Sequence, residues 1–162
     1  MRKKGKSRLE KKKLQATVID ASGLVLGRLA SHVAKRILIG EDIVVVNADK
    51  AVITGSKENI VGEFKARLRT RTLGSQKKAP KHPRRPDNYV RRVVRGMLPW
   101  KKPKGRLAYR RLKVYIGVPN SLGEVLIQNL PEARKNIQPS MTVGELLKVF
   151  GWESPLDGVK VG

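Results

Sequence analysis

The sequence predicts an α/β fold with a mainly parallel sheet, and three features of the pattern lead to this prediction. Runs of β-branched residues at 16–20 and 43–46 are too short for helices and are typical of strands covered on both faces. Segments with helical apolar spacing begin at Leu26 and after Ser56, so helices alternate with strands. Clusters of Gly, Pro, Asn and Asp separate these segments. Such alternation is typical of α/β layer proteins.

The first three elements form a strand, a helix and a second strand. The strand at 16–20 is followed by Ser22-Gly23, which offers turn and N-cap chemistry. Apolar residues then recur at helical spacing from 26 to 38, and Gly40 is the type of residue that ends a helix in the left-handed conformation. Residues 43–46 predict the second strand.

Two further helices follow in the middle of the chain. After a turn at 47–50 the pattern allows another short strand at 51–54. Ser56 is suited to cap a helix. The apolar face of this helix comprises Ile60, Val61, Phe64 and Leu68. A third helix is predicted from Pro86 or Asp87 to about Met97, with Tyr89 or Val90 on its buried face.

Proline-punctuated loops and a terminal helix complete the prediction. Residues 74–86 and 99–105 contain several prolines and basic residues and are expected to be extended. A short helical turn through 106–111 leads into a strand at 112–116, and Gly117 to Asn120 break the pattern. The sequence from Thr142 to Glu145 is a capping box, which predicts a helix near the C-terminus.

The charge is large and unevenly distributed. The 162 residues include 36 Lys and Arg but only 13 Asp and Glu, a net charge of +23. Residues 1–13 carry +7 and residues 65–113 carry +18, whereas 14–64 and 114–162 each carry −1. A merely soluble surface intersperses both signs, so this pattern indicates a polyanionic partner, with nucleic acid the leading candidate. A membrane surface ranks lower because the basic stretches are rich in proline and lack a broad apolar face.

Several other classes of protein are disfavoured. There is no cysteine, which excludes disulfides, thiolate metal sites and cysteine nucleophiles. No run of about 18 apolar residues is present, and no signal-type apolar segment follows Lys13, so the cytosol is the expected compartment. His32 and His82 are far apart in sequence and lack a carboxylate cluster. We therefore expect no metal and no cofactor.

The turn at 23–27 resembles a nucleotide-binding loop only superficially. It lacks the G-x-G-x-x-G spacing, and its apolar residues would line a pyrophosphate site poorly. Glycines that permit a tight turn and close helix packing are the favoured interpretation. The alternative is an RNA-modifying or nucleotide-using enzyme, with Asp20 or Asp49, which follow strands, lining its site. A free-standing RNA-binding regulator is a second alternative.

The basic blocks supply the candidate RNA-binding residues. Arginine can clamp phosphate oxygens or stack on an unpaired base, and proline holds a loop extended before it binds. Trp100 and Tyr109, which lie among basic residues, are candidates for stacking on bases or for anchoring the core. The candidates are Lys3, Lys4, Lys6, Arg8, Arg67, Arg69, Arg71, Lys77, Lys78, Lys81, His82, Arg84, Arg85, Arg91, Arg92, Arg95, Trp100, Lys101, Lys102, Lys104, Arg106, Arg110 and Arg111.

An ordered series of short blocks resembles a known family. The blocks are Val18–Ala21, Gly27–Ser31, Val45–Ala48, Thr54–Gly55 with Lys57, Arg95–Pro99 and Leu112–Gly117. Together they resemble the universal large-subunit ribosomal protein thirteen family across residues 18–117. The stretches 77–86, 100–111 and 149–152 are similar to its archaeal and eukaryotic branch. After Gly117 the chain departs from the His-containing segment usual in bacterial members.

The resemblance implies a three-layer α/β/α fold around a four-stranded, mainly parallel sheet, with basic extended loops and a basic tail. It implies a non-enzymatic constituent of the large ribosomal subunit that binds rRNA, contacts neighbouring ribosomal proteins and is present as one copy per subunit. Arg28 matches a signature position and joins the candidates. The expected organisation is a disordered tail at 1–13, a core at 14–117 with basic loops at 65–86 and 99–111, and a near-neutral extension at 118–162.

Overall fold

The computed structural model describes residues 16–72, 74–119, 122, 127–128, 130–134 and 139–154. The strands in these ranges are β1 (Ala16–Asp20), β2 (Asp42–Val46), β3 (Val52–Thr54), β4 (Leu112–Val114), β5 (Ile127–Gln128) and β6 (Ser140–Thr142). The α-helices are α1 (Leu26–Ile39), α2 (Lys57–Arg69), α3 (Pro86–Gly96), α4 (Pro103–Arg110) and α5 (Val143–Val149). Short 3₁₀ helices lie at Ala48–Lys50, Gln76–Lys78 and Pro131–Ala133.

The central sheet has four strands in the order β4-β2-β1-β5, and each neighbouring pair is parallel. In this register Ile19 lies opposite Val45, and Val18 lies opposite both Val44 and Ile127. The α/β class and the mainly parallel four-stranded sheet are therefore confirmed.

The identity of the fourth strand differs from the element that the pattern suggested. The strand predicted at 51–54 forms as β3, but it pairs antiparallel with β6 in a separate two-stranded sheet, with Ile53 opposite Met141. The fourth position in the central sheet is taken by the two-residue β5, which the pattern did not indicate. Apolar alternation specifies a strand but not the distant segment with which it pairs.

The two faces of the central sheet have different cover. Ile19, Ile43 and Val45 belong to the main core, which also contains the buried residues of all five helices. Val18, Val44 and Val46 point to the other face, where Tyr115 and Leu122 pack against them. Among the described residues, the helices pack on the first face. No helical layer of these residues covers the second face.

Local sequence accounts for most helix ends. Gly40 follows α1 with a φ of 122°, and Ser56 accepts a hydrogen bond from the Asn59 amide at 3.3 Å, both as predicted. The capping box of α5 is complete, with reciprocal bonds of 3.1 Å between Thr142 and Glu145. The N-cap chemistry expected of Ser22 is wrong, because α1 begins after Val25 and Ser22 bonds to Asp20 instead.

The basic segments are more helical than predicted. Residues 76–78 form a 3₁₀ turn rather than an extended segment. The helical turn predicted at 106–111 is confirmed as α4, but it begins earlier, at Pro103, so the basic loop predicted at 99–111 is mainly helix. Proline is favoured in the first helical turn, where its missing N–H costs nothing. Gly105 permits this arrangement, since a Cβ there would lie 2.3 Å from the Pro99 carbonyl oxygen.

Candidate nucleic-acid interface

Most of the predicted RNA-binding side chains that the structure describes are exposed. Lys3, Lys4, Lys6 and Arg8 lie outside the described residues. His82, Arg91, Trp100 and Arg111 are half-buried. The exposed candidates are Arg28, Arg67, Arg69, Arg71, Lys77, Lys78, Lys81, Arg84, Arg85, Arg92, Arg95, Lys101, Lys102, Lys104, Arg106 and Arg110.

The packing of two helices explains why so many cations face outward. Helix α3 buries Pro86, Val90 and Val94 against α1 and β4, so Arg92 and Arg95 lie in the exposed part of its surface. Helix α4 buries Gly105 and Ala108 and contacts α1 and β4. Because apolar residues fix one side of each helix, the arginines and lysines of the other side are held on an ordered scaffold.

Two arginines and two aromatic rings form a connected stack between α3 and α4. The Arg95 guanidinium carbon lies 4.1 Å from the centroid of the Trp100 ring, and that of Arg91 lies 5.1 Å from the centroid of Tyr109. The two rings meet edge-on at 5.2 Å. Arg106 Nε donates to the Trp100 carbonyl at 3.2 Å. Of the two roles predicted for Trp100, this packing favours anchoring of the core over stacking on a base.

Some basic residues contribute to the fold itself. Arg111 Nη1 donates to the Ile37 carbonyl at 3.3 Å, which satisfies a carbonyl in the last turn of α1. Arg92 Nη1 donates to the Lys81 carbonyl at 3.0 Å and ties the segment before α3 to that helix. Arg28 Nη1 donates to the Glu132 carbonyl at 3.3 Å. A candidate contact with RNA and a structural contact can therefore share one side chain, as a guanidinium has five N–H donors.

Arg36 is an ordering residue that the pattern did not single out. Its guanidinium lies 2.7 Å from Glu41 and donates to Gln128 at 3.0 Å and to Thr17 at 3.3 Å. It thereby connects α1 with β1, β5 and the start of β2. Its sequence signal was only a basic residue on the polar side of a helix.

A cavity of about 270 Å³ lies between α2 and α3 within the basic region. Its lining residues are Phe64, Arg67, His82, Pro83, Tyr89, Arg92, Val93 and Gly96. The Phe64 and Tyr89 rings meet edge-on at 5.8 Å. His82 Nε2 is buried and has no hydrogen-bond partner among the described residues. Burial raises the pKa of Tyr89, nearby Arg67 opposes this and Glu63 adds to it, so the phenol stays neutral.

The carboxyl ends of β1 and β2 are joined by one carboxylate. Asp20 Oδ1 accepts from the Ser22 amide at 2.9 Å, the Ser22 hydroxyl at 2.7 Å and Asn47 Nδ2 at 2.9 Å. Burial acts to raise the pKa of Asp20, but the hydrogen bonds from Asn47 and Ser22 outweigh it, and the pKa is lowered. This carboxylate is engaged in holding two loops together.

The adjoining glycine turn is structural in geometry. Gly23 has a φ of 70°, which provides the tight turn expected. Leu24 and Leu26 are buried in the core, as befits a turn that packs rather than cradles phosphates. The prediction that Gly27 permits close helix packing is wrong, since no atom lies within 4 Å of a Cβ placed there.

Asp49 and His32, two other candidates for catalysis or metal binding, have separate surroundings. Asp49 Oδ1 is buried and has no hydrogen-bond partner among the described residues, and it lies beside a cavity of about 170 Å³ near α5. His32 Nε2 lies 3.4 Å from a carboxylate oxygen of Glu132. In the part of the chain that the structure describes, no three His, Asp or Glu side chains cluster as metal ligands would. No helix of that part is long and apolar enough to cross a membrane.

Comparison with known proteins gives the basic surface a family context. The family model described as "Ribosomal protein L13" matches residues 14–121. The chain belongs to the ribosomal protein L13 family. The protein named "Large ribosomal subunit protein uL13" from Archaeoglobus fulgidus is 57% identical over 140 residues, which cover 84% of this chain and 88% of that relative.

Other members of the L13 family are similar over most of the chain as well. The uL13 proteins of Methanopyrus kandleri and Methanocaldococcus jannaschii are 49% and 46% identical over 86% and 83% of this chain, and over 89% and 97% of their own lengths. These relatives are archaeal, so the predicted family and its archaeal type are confirmed. Within this L13 fold, reasoning from sequence located the basic surface but missed the Phe64–Tyr89 cavity, because both rings were assigned to core positions.

Proposed function

We propose that this chain is a structural constituent of the large ribosomal subunit, where it binds and stabilises rRNA and supports assembly. The observation on which the proposal rests is the +18 block at 65–113, whose cations are nearly all exposed on an ordered helical scaffold. Membership of a family whose archaeal members are named as large-subunit proteins supports the same function. The role is non-enzymatic, as membership of this ribosomal protein family implies. Asp20, one of the two carboxylates of the enzyme alternative, is in addition occupied by three donors.

The exposed cations bind by neutralising phosphates. Each lysine or arginine that contacts a phosphate releases condensed counterions, which gives affinity without reading a base sequence. Double-helical RNA hides its base edges in a deep, narrow groove, so selectivity comes mainly from the shape of folded rRNA. Helices α2, α3 and α4 hold their cations at fixed separations, and a surface of this kind recognises a particular arrangement of phosphates.

Other parts of the chain extend this role. The tail at 1–13 has eight basic residues and adds phosphate contacts, with Lys3, Lys4, Lys6 and Arg8 among them. The near-neutral extension at 118–162 supplies β5, β6 and α5, and buries Val143 and Leu146 in the main core. Its remaining surface, which lacks excess charge, is suited to neighbouring ribosomal proteins. We place one copy in each cytoplasmic subunit.

Sedimentation of a cell lysate through a sucrose gradient tests this function. The protein is expected in the large-subunit fractions before and after a high-salt wash, at about one copy per subunit, as befits an integral constituent. Ribonuclease treatment of the same lysate is the control and should move the protein to the top of the gradient. Release at modest salt, or sedimentation at the top without ribonuclease, would instead indicate a transient factor, a regulator or an RNA-modifying enzyme.

A further inference from the structure

The cavity between α2 and α3 differs chemically from the basic surface around it. Charged side chains suffice to hold phosphates, yet this cavity has aromatic and apolar walls and a buried imidazole nitrogen. We propose that it holds one unstacked base of the rRNA, an inference that rests on the proposed rRNA-binding function. The site adds recognition of an individual nucleotide to a surface that otherwise reads shape and charge.

The walls fit a flat aromatic ring. Phe64 is buried, Tyr89 is half-buried, and Pro83 and Val93 complete an apolar lining. Bases that leave a helical stack are commonly held against aromatic side chains. The volume of about 270 Å³ is just below the range of about 300–1,000 Å³ typical of sites for drug-sized ligands. A single base therefore fits better than a larger molecule.

His82 lines the cavity and has a buried nitrogen, Nε2, that lacks a hydrogen-bond partner among the described residues. Leaving such an atom unpaired is unfavourable, and native structures usually supply a partner from protein, water or ligand. The edge of a base has both donors and acceptors, so it can satisfy this nitrogen in either tautomer once the imidazole turns Nε2 toward the cavity.

Two arginines that line the cavity can bind the phosphate of the same nucleotide. Arg92 uses one N–H for the Lys81 carbonyl and retains other donors. Arg67 pairs with Glu63 at 3.6 Å, but both side chains are more than 60% exposed, and such a pair is weak enough for a phosphate to replace it. A second cavity of about 320 Å³ shares Phe64, Arg67 and Tyr89, which leaves room for the ribose.

The substitution Gly96→Leu tests the site without removing any contact or charge. Gly96 lines the cavity, and a Cβ there has no neighbour within 4 Å, so Gly96→Leu places a side chain in the space intended for the base. Gly62→Leu in α2 is the matched control. Gly62 also has open space at its Cβ but does not line the cavity.

Binding of the full chain to deproteinised large-subunit rRNA is measured by filter retention over a range of salt concentrations. Gly96→Leu is expected to weaken binding by about tenfold, the scale of one stacked base. The salt slope should become shallower by no more than about 1, because at most the one phosphate beside Arg67 and Arg92 loses its contact. Gly62→Leu should bind like the unaltered chain, and equal binding by the two variants would overturn the base site while leaving rRNA binding intact. Failure of the unaltered chain to bind rRNA would reject the proposed function itself.

Ultraviolet cross-linking of isolated large subunits, followed by mass spectrometry, gives a second readout. A nucleotide attached to Tyr89, Phe64 or His82 is expected, and cross-links confined to other parts of the chain would contradict the site. A thermal-shift titration with the four nucleoside 5′-monophosphates separates an RNA base from a free nucleotide. Little stabilisation is expected, whereas saturable stabilisation abolished by Gly96→Leu would mean a free-nucleotide site and overturn the proposal.

Discussion

At the scale of single residues, Asp20 shows how a strand-end carboxylate can serve structure rather than catalysis. Its Oδ1 atom accepts three hydrogen bonds from the turn after β1 and from Asn47 after β2. Asn47 has a φ of 54°, a left-handed conformation that asparagine tolerates better than most residues. The carboxylate thus stabilises a strained position and fixes the loops that follow two neighbouring strands.

Removing this charge should make stability less dependent on pH. The pKa of Asp20 is lowered below its ordinary value of 3.8, so the stabilisation is present above that value and is lost as the pH falls through the folded-state pKa. Asp20→Asn should lower the free energy of unfolding by about 1 kcal/mol at about pH 7. The difference from the unaltered chain should shrink as the pH falls below 3.8 and disappear once Asp20 is protonated in the folded state.

Urea denaturation at several pH values checks this expectation. Asp42→Asn is the matched control, because Asp42 is also next to a turn but is exposed. Its effect on unfolding should stay small at every pH. A deficit for Asp20→Asn that persists unchanged in acid would show that the carboxylate charge is not the source of the stabilisation.

At the scale of elements, the Arg–aromatic stack joins α3 to α4. Trp100 lies in the short connection between these helices, with Arg95 from α3 over its ring and Tyr109 from α4 at its edge. A cation over an indole ring is attracted by the ring quadrupole, most strongly when the pair is partly shielded from water. The stack therefore orders a connection whose own sequence, rich in lysine and proline, would not fold alone.

A double-mutant cycle measures this coupling. Arg95→Met, Trp100→Leu and the double variant should reveal a favourable interaction of about 0.5–1 kcal/mol in the free energy of unfolding. Arg106→Met combined with Trp100→Leu is the control, since Arg106 bonds to the backbone carbonyl and its coupling to the ring should be near zero. Strict additivity of the Arg95 and Trp100 effects would refute the stacking role.

The elements also show what sequence patterns can and cannot predict. β1, α1 and its end at Gly40 were predictable because apolar periodicity and a helix-ending glycine are local signals. The pairing of β3 with β6 was not, because strand partners depend on segments far apart in sequence. The two-residue β5 has too short a run to show alternation. The start of α4 at Pro103 was hidden because proline marks loops as well as first helical turns.

The candidate site was predictable to a similar degree. Its charge follows from composition, and the exposure of residues such as Arg69 and Lys101 follows from the cost of burying an unpaired charge. Sequence cannot separate these cations from Arg111, which bonds to the end of α1, because both are basic residues in the same block. Phe64 and Tyr89 look like ordinary core residues until the fold leaves a cavity beside them.

At the scale of the whole molecule, the near-neutral blocks of the sequence supply most of the strands, and the basic block supplies most of the exposed cations. Residues 14–64 and 114–162 each have a net charge of −1, and they supply five of the six described strands. The +18 block supplies α3, α4 and β4, and nearly all of its cations are exposed. Self-repulsion in that block opposes compaction, so the apolar faces of α3 and α4 must hold it together and a polyanion stabilises it further.

This division predicts that the position of a charge matters more than the total. Lys101→Gln, Lys102→Gln and Lys104→Gln together remove three exposed charges at the start of α4. Lys35→Gln, Lys50→Gln and Lys57→Gln remove three exposed charges elsewhere. If each lysine of the first set contacts a phosphate, the slope of log affinity against log salt should become shallower by about 2–3 for that set. The second set, of equal net charge, should leave the slope nearly unchanged. Equal losses in both sets would mean that the rRNA senses only the overall field, and the interface would then not be localised to the basic helices.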